Sequence, residues 1–178
     1  MTVQLVSQET ATRRVLVLAM PNVRCEELLR TMRDKAREGD ARFSLVVPAV
    51  PLGLDWLADM SAGREIAIER LSSLLWRCRR ANHLVDEAEI GDPDPMAAAM
   101  DAVNFGEFDE ILLAGPRPGW AAQRMRMSLA ERLRRQTGLP VHHIVSAPAA
   151  QLAPAESARV QLEVPAISRH QAAAALAA

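Results

Sequence analysis

Two hydrophobic rhythms alternate along this chain. Arg13 to Met20, RRVLVLAM, is a continuous run of β-branched and leucine-type residues, the pattern of a strand buried on both faces. From residue 24 to 38 the period changes. Cys25, Leu28, Leu29, Met32 and Ala36 recur at spacings of three and four with charges between them, predicting an amphipathic helix that ends at Gly39. Arg42 to Val50 predicts a second strand with Pro48 near its end, and 51–60, which holds Trp56, a loop. Ser61 is placed to cap a long helix over 62–81 whose inward face is Ile68, Leu71, Leu75 and Cys78. His83 to Ile90 reads as a third, less apolar strand. The turn Gly91-Asp92-Pro93-Asp94-Pro95 follows, with Asp94 as helix cap and Pro95 at the first helical position of a short helix over 95–104.

Asp109 to Ala114 predicts a fourth strand, Gly115 to Gly119 a loop, and 120–137 a helix with Met125, Leu129 and Leu133 in line. On that helix Glu131 and Arg135 have the spacing of an ion pair, and Gly138 is a C-cap. Residues 141–145, VHHIV, predict a fifth strand. Strands alternating with helices through short connections require parallel strands and crossover helices. The expected fold is α/β: an open, doubly wound, five-stranded parallel sheet with helices on both faces. Ligands of such sheets sit outside the carboxyl ends of the strands, here the loops that begin at Met20, Val50, Gly91, Gly115 and Ala147. Residues 1–12 form a polar lead. From 148 to 178 the composition shifts to Ala, Pro, Gln and Ser, and the chain is expected to leave the 13–147 domain as an extension. In it RVQLEV, 159–164, alternates like a short strand, and 170–178 reads as a frayed helix or disorder.

Composition narrows the function classes. The chain has 178 residues, 24% charged and 49% hydrophobic, with net charge −1. That balance disfavours general nucleic-acid binding and disorder. Aromatics are 3% and tyrosine is absent, which weakens any base-stacking role. No apolar run has the length of about 18 residues that spans a membrane, and the first residues lack the basic start and apolar block of a signal peptide. A cytoplasmic location without membrane insertion is expected. Cys25 and Cys78, the two cysteines, fit no metal spacing and read as buried, reduced thiols. Arginine outnumbers lysine twenty to one, Lys35 being the single lysine.

The Gly91-Asp92-Pro93 exit, the strand DEILLAG and the stretch MSLAERLRRQTGLPVHHI resemble the universal stress protein superfamily over roughly Arg13 to Ser146. The resemblance is strongest in ERLRRQTGLPVHHI, and it is closest to divergent universal-stress-like domains of actinobacteria. It implies the same fold. Nucleotide-binding members carry an acidic turn after strand one and a Gly-x2-Gly-x9-Gly-Ser/Thr loop, whose glycines admit a phosphate to backbone N–H groups. This sequence departs from both. Met20-Pro21-Asn22 lacks the acid. Gly115 matches the first glycine, Gly119 lies one residue out of step, Met127 replaces the last glycine and Ser128 is retained. Pro116 and Pro118 remove two N–H donors.

Candidate binding residues for a nucleotide or small anion are therefore Asn22, Gly91, Asp92, Gly115, Arg117, Gly119, Arg124 and Ser128. Arg117 and Arg124 lie nearest the loop and have the guanidinium geometry for a phosphate or carboxylate. The same arginines also read as part of a solvated helix face. Asp92 and Asp94 suit a turn carboxylate and a helix cap better than a metal pair. Adjacent His142 and His143 point to opposite faces of a strand and cannot share a metal. No Ser elbow, Walker loop, His-Glu-x-x-His or Cys-His pairing occurs. The expectation is a non-enzymatic regulatory or stress-related protein with a degenerate nucleotide pocket. It has no metal and no cofactor, ATP or AMP being the candidate if one binds, and it is a homodimer through the fifth, edge strand with an unknown protein partner. The alternative is a sensor of adenine nucleotide or small anion at the strand-end loops.

Overall fold

The computed structural model describes residues 12–21, 24–50, 60–119 and 128–145, without side chains at 60–62. The elements are β1 (Arg13–Ala19), α1 (Glu26–Glu38), β2 (Ala41–Pro48), α2 (Met60–Arg80), β3 (Val85–Gly91), α3 (Pro95–Phe105), β4 (Glu110–Gly115), α4 (Leu129–Thr137) and β5 (Val141–Val145). The strands form one parallel sheet in the order β3-β2-β1-β4-β5. The chain winds outward from β1 to β3, then returns to β4 and runs outward to β5, which is the doubly wound topology expected from the alternation.

β1 is central, and Val15 to Leu18 have no exposed surface. Its alternate residues serve two cores. Val15, Val17 and Ala19 join Leu28 and Met32 of α1 and Ala67, Leu71, Leu74 and Cys78 of α2 on one face. Leu16 and Leu18 join Met96, Ala98, Ala99 and Ala102 of α3 and Ala130 and Leu133 of α4 on the other. Two buried faces explain why the β1 sequence shows no polar alternation. The small residues of α3 let that helix lie close to the sheet. A Cβ built on Gly91 would stand 2.5 Å from Ala98 Cβ and 2.9 Å from Val46 Cγ1, so only glycine fits where β3 meets α3.

Helix ends follow sequence chemistry. Asp94 accepts a hydrogen bond from Met96 N at 3.0 Å, with Pro95 opening α3. Gly138, at φ 70°, closes α4 in the left-handed conformation. Gly39 ends α1 in extended backbone. Several expectations need correction. Ser61 lies inside α2, not at its cap, because the helix already begins at Met60. On the inward face of α2, Leu71 and Cys78 are buried as expected and Leu75 packs partly buried against the same core; Ala67 and Leu74 join them, and Ile68 is turned outward. The inward stripe thus prefers a small Ala67 against the sheet to the larger neighbour. Glu131 pairs with Arg134 at 2.9 Å, not with Arg135, because Arg134 is also drawn to the Val141 carbonyl. β3 starts at Val85, and a register shift between Phe43 and Ser44 precedes the Glu87 pairing. Residues 120–127, Trp56 and Trp120, residues 1–11 of the polar lead and the extension with its 159–164 strand lie outside the described residues. Among the described residues no helix is long and apolar enough to cross a membrane.

Candidate functional site

The carboxyl ends of the strands gather most of the candidates. Two hydrogen bonds zip the strand exits together, Met20 N to Ala114 O at 2.9 Å and Ala49 N to Gly91 O at 3.2 Å. Gly91 is committed to helix packing, as its contacts with Ala98 and Val46 show. Asp92 Oδ1 accepts from Asp94 N at 2.7 Å and Asp94 caps α3, so this carboxylate pair builds the turn. Ser128 accepts from Glu131 N at 3.3 Å and caps α4. Its hydroxyl and the first turn of α4 lie at the carboxyl side of the sheet, where a helix N-terminus presents N–H groups.

β4 ends at Gly115, whose added Cβ would meet His143 Nε2 and Met20 Cγ, each at 3.5 Å, an ordinary contact. Pro116 and Arg117 beyond it are exposed. Gly119 is exposed too, with no atom within 4 Å of a built Cβ. The structure therefore brings Gly115, Arg117 and Gly119 onto one short loop. Asn22 and Arg124 lie outside the described residues.

His143 is the residue that sequence reasoning undervalued. It is half-buried beside Gly115, and burial pushes its pKa below the ordinary value while backbone hydrogen bonds with Gly115 and Pro116 oppose that shift and the Arg134 charge reinforces it. A neutral imidazole thus supports the start of the loop from below. The signal was positional: β5 runs parallel to β4, and Leu113 pairs with His143 two residues before Gly115 pairs with Val145, so His143 and Gly115 share a face. His142 faces the other side and opposes Leu112.

The best-buried ionic group lies at the opposite end of the sheet. Glu110 opens β4 with 7% of its side chain exposed, and Lys35 Nζ of α1 reaches its Oε2 at 2.6 Å. His142 Nε2 lies 3.1 Å from the same oxygen, and Arg13 lies 3.9 Å from Oε1. This cluster ties α1 to β4 and β5. Cys25 and Cys78 are free and buried. Burial, reinforced by Cys25, pushes the Cys78 thiol up to about 11, which leaves it protonated at neutral pH. Among the described residues no group of three or more His, Cys, Asp or Glu is arranged to hold a metal ion.

The fold is that of a doubly wound α/β domain with a short Pro/Gly loop at the return from β4. No protein-family model matches the sequence, and no curated protein matches it significantly. Solved structures do share its architecture. A universal stress protein family protein from Arabidopsis thaliana with AMP bound aligns at TM-score 0.55 and 17% identity, covering 76% of this chain and 92% of its own. A universal stress protein in complex with cAMP aligns at TM-score 0.52 and 18% identity, covering 77% of this chain and 99% of its own. The chain has the universal-stress-protein-like fold.

Proposed function

We propose that this chain is a non-enzymatic, universal-stress-like protein that acts through protein contacts as a homodimer, with a reduced nucleotide pocket. One observation carries the reading. Apart from Arg117, the described candidate polar groups at the strand ends are already used in the scaffold: Asp92 in the turn, Asp94 and Ser128 in caps, His143 under the loop. The edge strand β5 supports the dimer. It carries no acid, Val145 is 39% exposed, its outer side has no strand partner among the described residues, and an unpaired strand edge invites pairing. Light scattering of the full chain is expected to give twice the chain mass, and Val145→Asp to give the monomer. A monomeric wild-type chain overturns the dimer.

The second reading, an adenine-nucleotide or small-anion sensor, is favoured by exposed Arg117 beside the open space at Gly119. The AMP and cAMP carried by two structures of the same fold add support. Thermal melts with ATP, AMP, cyclic AMP and phosphate decide between them. Ligand at about 100 times its Kd adds roughly 2.7 kcal/mol of stability. A rise in Tm that Arg117→Glu abolishes establishes the sensor; unmoved melts leave the contact-based reading.

A further inference from the structure

The two edges of the sheet differ in kind. On the α3/α4 face, α3 packs against β2, β3 and β1, and its closest approach to β3 is at Gly91. Beside it a groove of about 540 Å³ stays open between α3 and the outer strands. Its floor is apolar, with Val46 and Phe108, and its wall ends in Phe105, which is 93% exposed. An aromatic ring so far in solvent beside a cleft with an apolar floor is characteristic of a contact surface. The charged residues lining the groove are all acids: Glu87 and Glu89 from β3, Asp92, and Asp101 from α3. Toward the amino end of the strands the groove meets Arg42 and Arg14, which lie 3.0 Å from Asp86 and 2.8 Å from Glu107.

The acids have a spacing. Glu87 opposes Ser44 and Glu89 opposes Val46, so both point to the α3 face one strand period apart. The outer side of β3 has no strand partner among the described residues. We infer that the β3 edge and the adjoining groove dock an extended, cationic segment of another protein. That segment carries arginine or lysine at alternate positions and adds as a strand beside β3. Its basic side chains then face Glu87 and Glu89 as cross-strand opposite charges, and an apolar side chain reaches Phe105. A second copy of this chain does not suit the edge, since β3 against β3 sets carboxylates opposite carboxylates. This surface is separate from the strand-end loops and from β5, and it stands whichever reading of those is right.

The test uses the full chain and a labelled synthetic peptide of about nine alternating arginine and valine residues. Fluorescence anisotropy should show saturable binding, and amide shifts should concentrate in β3 and α3. Glu87→Arg with Glu89→Arg should weaken binding about tenfold or more. Phe105→Ser, a change at an exposed site, should weaken it by about threefold. Glu65→Arg with Glu69→Arg, the same charge change on the exposed side of α2, should leave it within about twofold. Equal loss in the α2 variant would reduce the effect to net charge and overturn the docking site. Equal binding of an alternating glutamate–valine peptide would also overturn it, as would a chain dimer that the Glu87/Glu89 reversal dissociates, which would make a second copy the occupant.

Discussion

At the residue scale, two positions carry more constraint than their chemistry advertises. Gly91 looks like a turn glycine in the sequence, yet its requirement is the space taken by Ala98 and Val46. Gly91→Ala should therefore cost about 1–3 kcal/mol, because backbone and a β-branched side chain must move apart; chemical denaturation reads this as a lower midpoint with unchanged slope. His83 is the other. It is buried at 8% exposure, with its ring edge-on to Phe43 at 5.8 Å between centroids. Burial first, then the Arg33 charge, pushes its pKa below the ordinary 6.5, with a backbone hydrogen bond at Leu29 opposing. His143 is shifted in the same direction. The unfolded chain takes up protons at these rings near pH 6.5, and the native chain only at lower pH. Their contribution is thus complete above about pH 6.5 and declines as pH falls below it. Melting temperature should drop between pH 7 and 5, and the double variant His83→Phe/His143→Gln should flatten that part of the profile.

At the element scale, the Lys35–Glu110 pair decides how firmly α1 is held to β4. Lys35→Met leaves a buried carboxylate with only the more distant Arg13 and the His142 ring. It should cost about 3 kcal/mol or more. Lys35→Met with Glu110→Leu should recover most of that loss, since a matched apolar pair removes the buried charge; a double-mutant cycle by urea unfolding measures the coupling. The five strands and α1 to α3 were legible in the sequence to within a few residues, because β1 and β4 are continuous apolar runs and Asp94-Pro95 and Gly138 mark helix ends; the helix expected over 120–137 instead begins at Leu129, since Ser128 before it is extended and serves as its cap. The ionic anchor was not. Lys35 and Glu110 are 75 residues apart in sequence, and no local pattern reveals such a partner. The α2 face was misread because Ile68 is the more hydrophobic residue while Ala67 is the one that fits against the sheet.

At the scale of the whole molecule, the described helices leave parts of both outer strands open, and those parts fall at opposite edges of the sheet. On the α1/α2 side, His142 and Ile144 of β5 are left partly open; on the α3/α4 side, Glu87 and Glu89 of β3 are. The sequence announced the edge position of β5 through chain order. It did not announce the groove beside β3, which depends on where α3 crosses the sheet. If RVQLEV covers β5, in the same chain or on a partner, then deleting residues 149–178 should change the mass seen by light scattering or lower the melting temperature. A deletion that changes neither removes the extension from the account of that edge. The candidate binding residues were legible as a loop, Gly115 to Gly119, but not as a supported one, since the ring beneath it comes from β5.

Lys35 has one more consequence. It is the single lysine of this sequence, and its side chain is 11% exposed. Reagents that acylate side-chain amines must therefore wait for α1 to lift from β4 before they can react. The rate of that one modification, followed by mass spectrometry at rising reagent concentration, becomes a clock for the opening of a single helix in an otherwise intact protein.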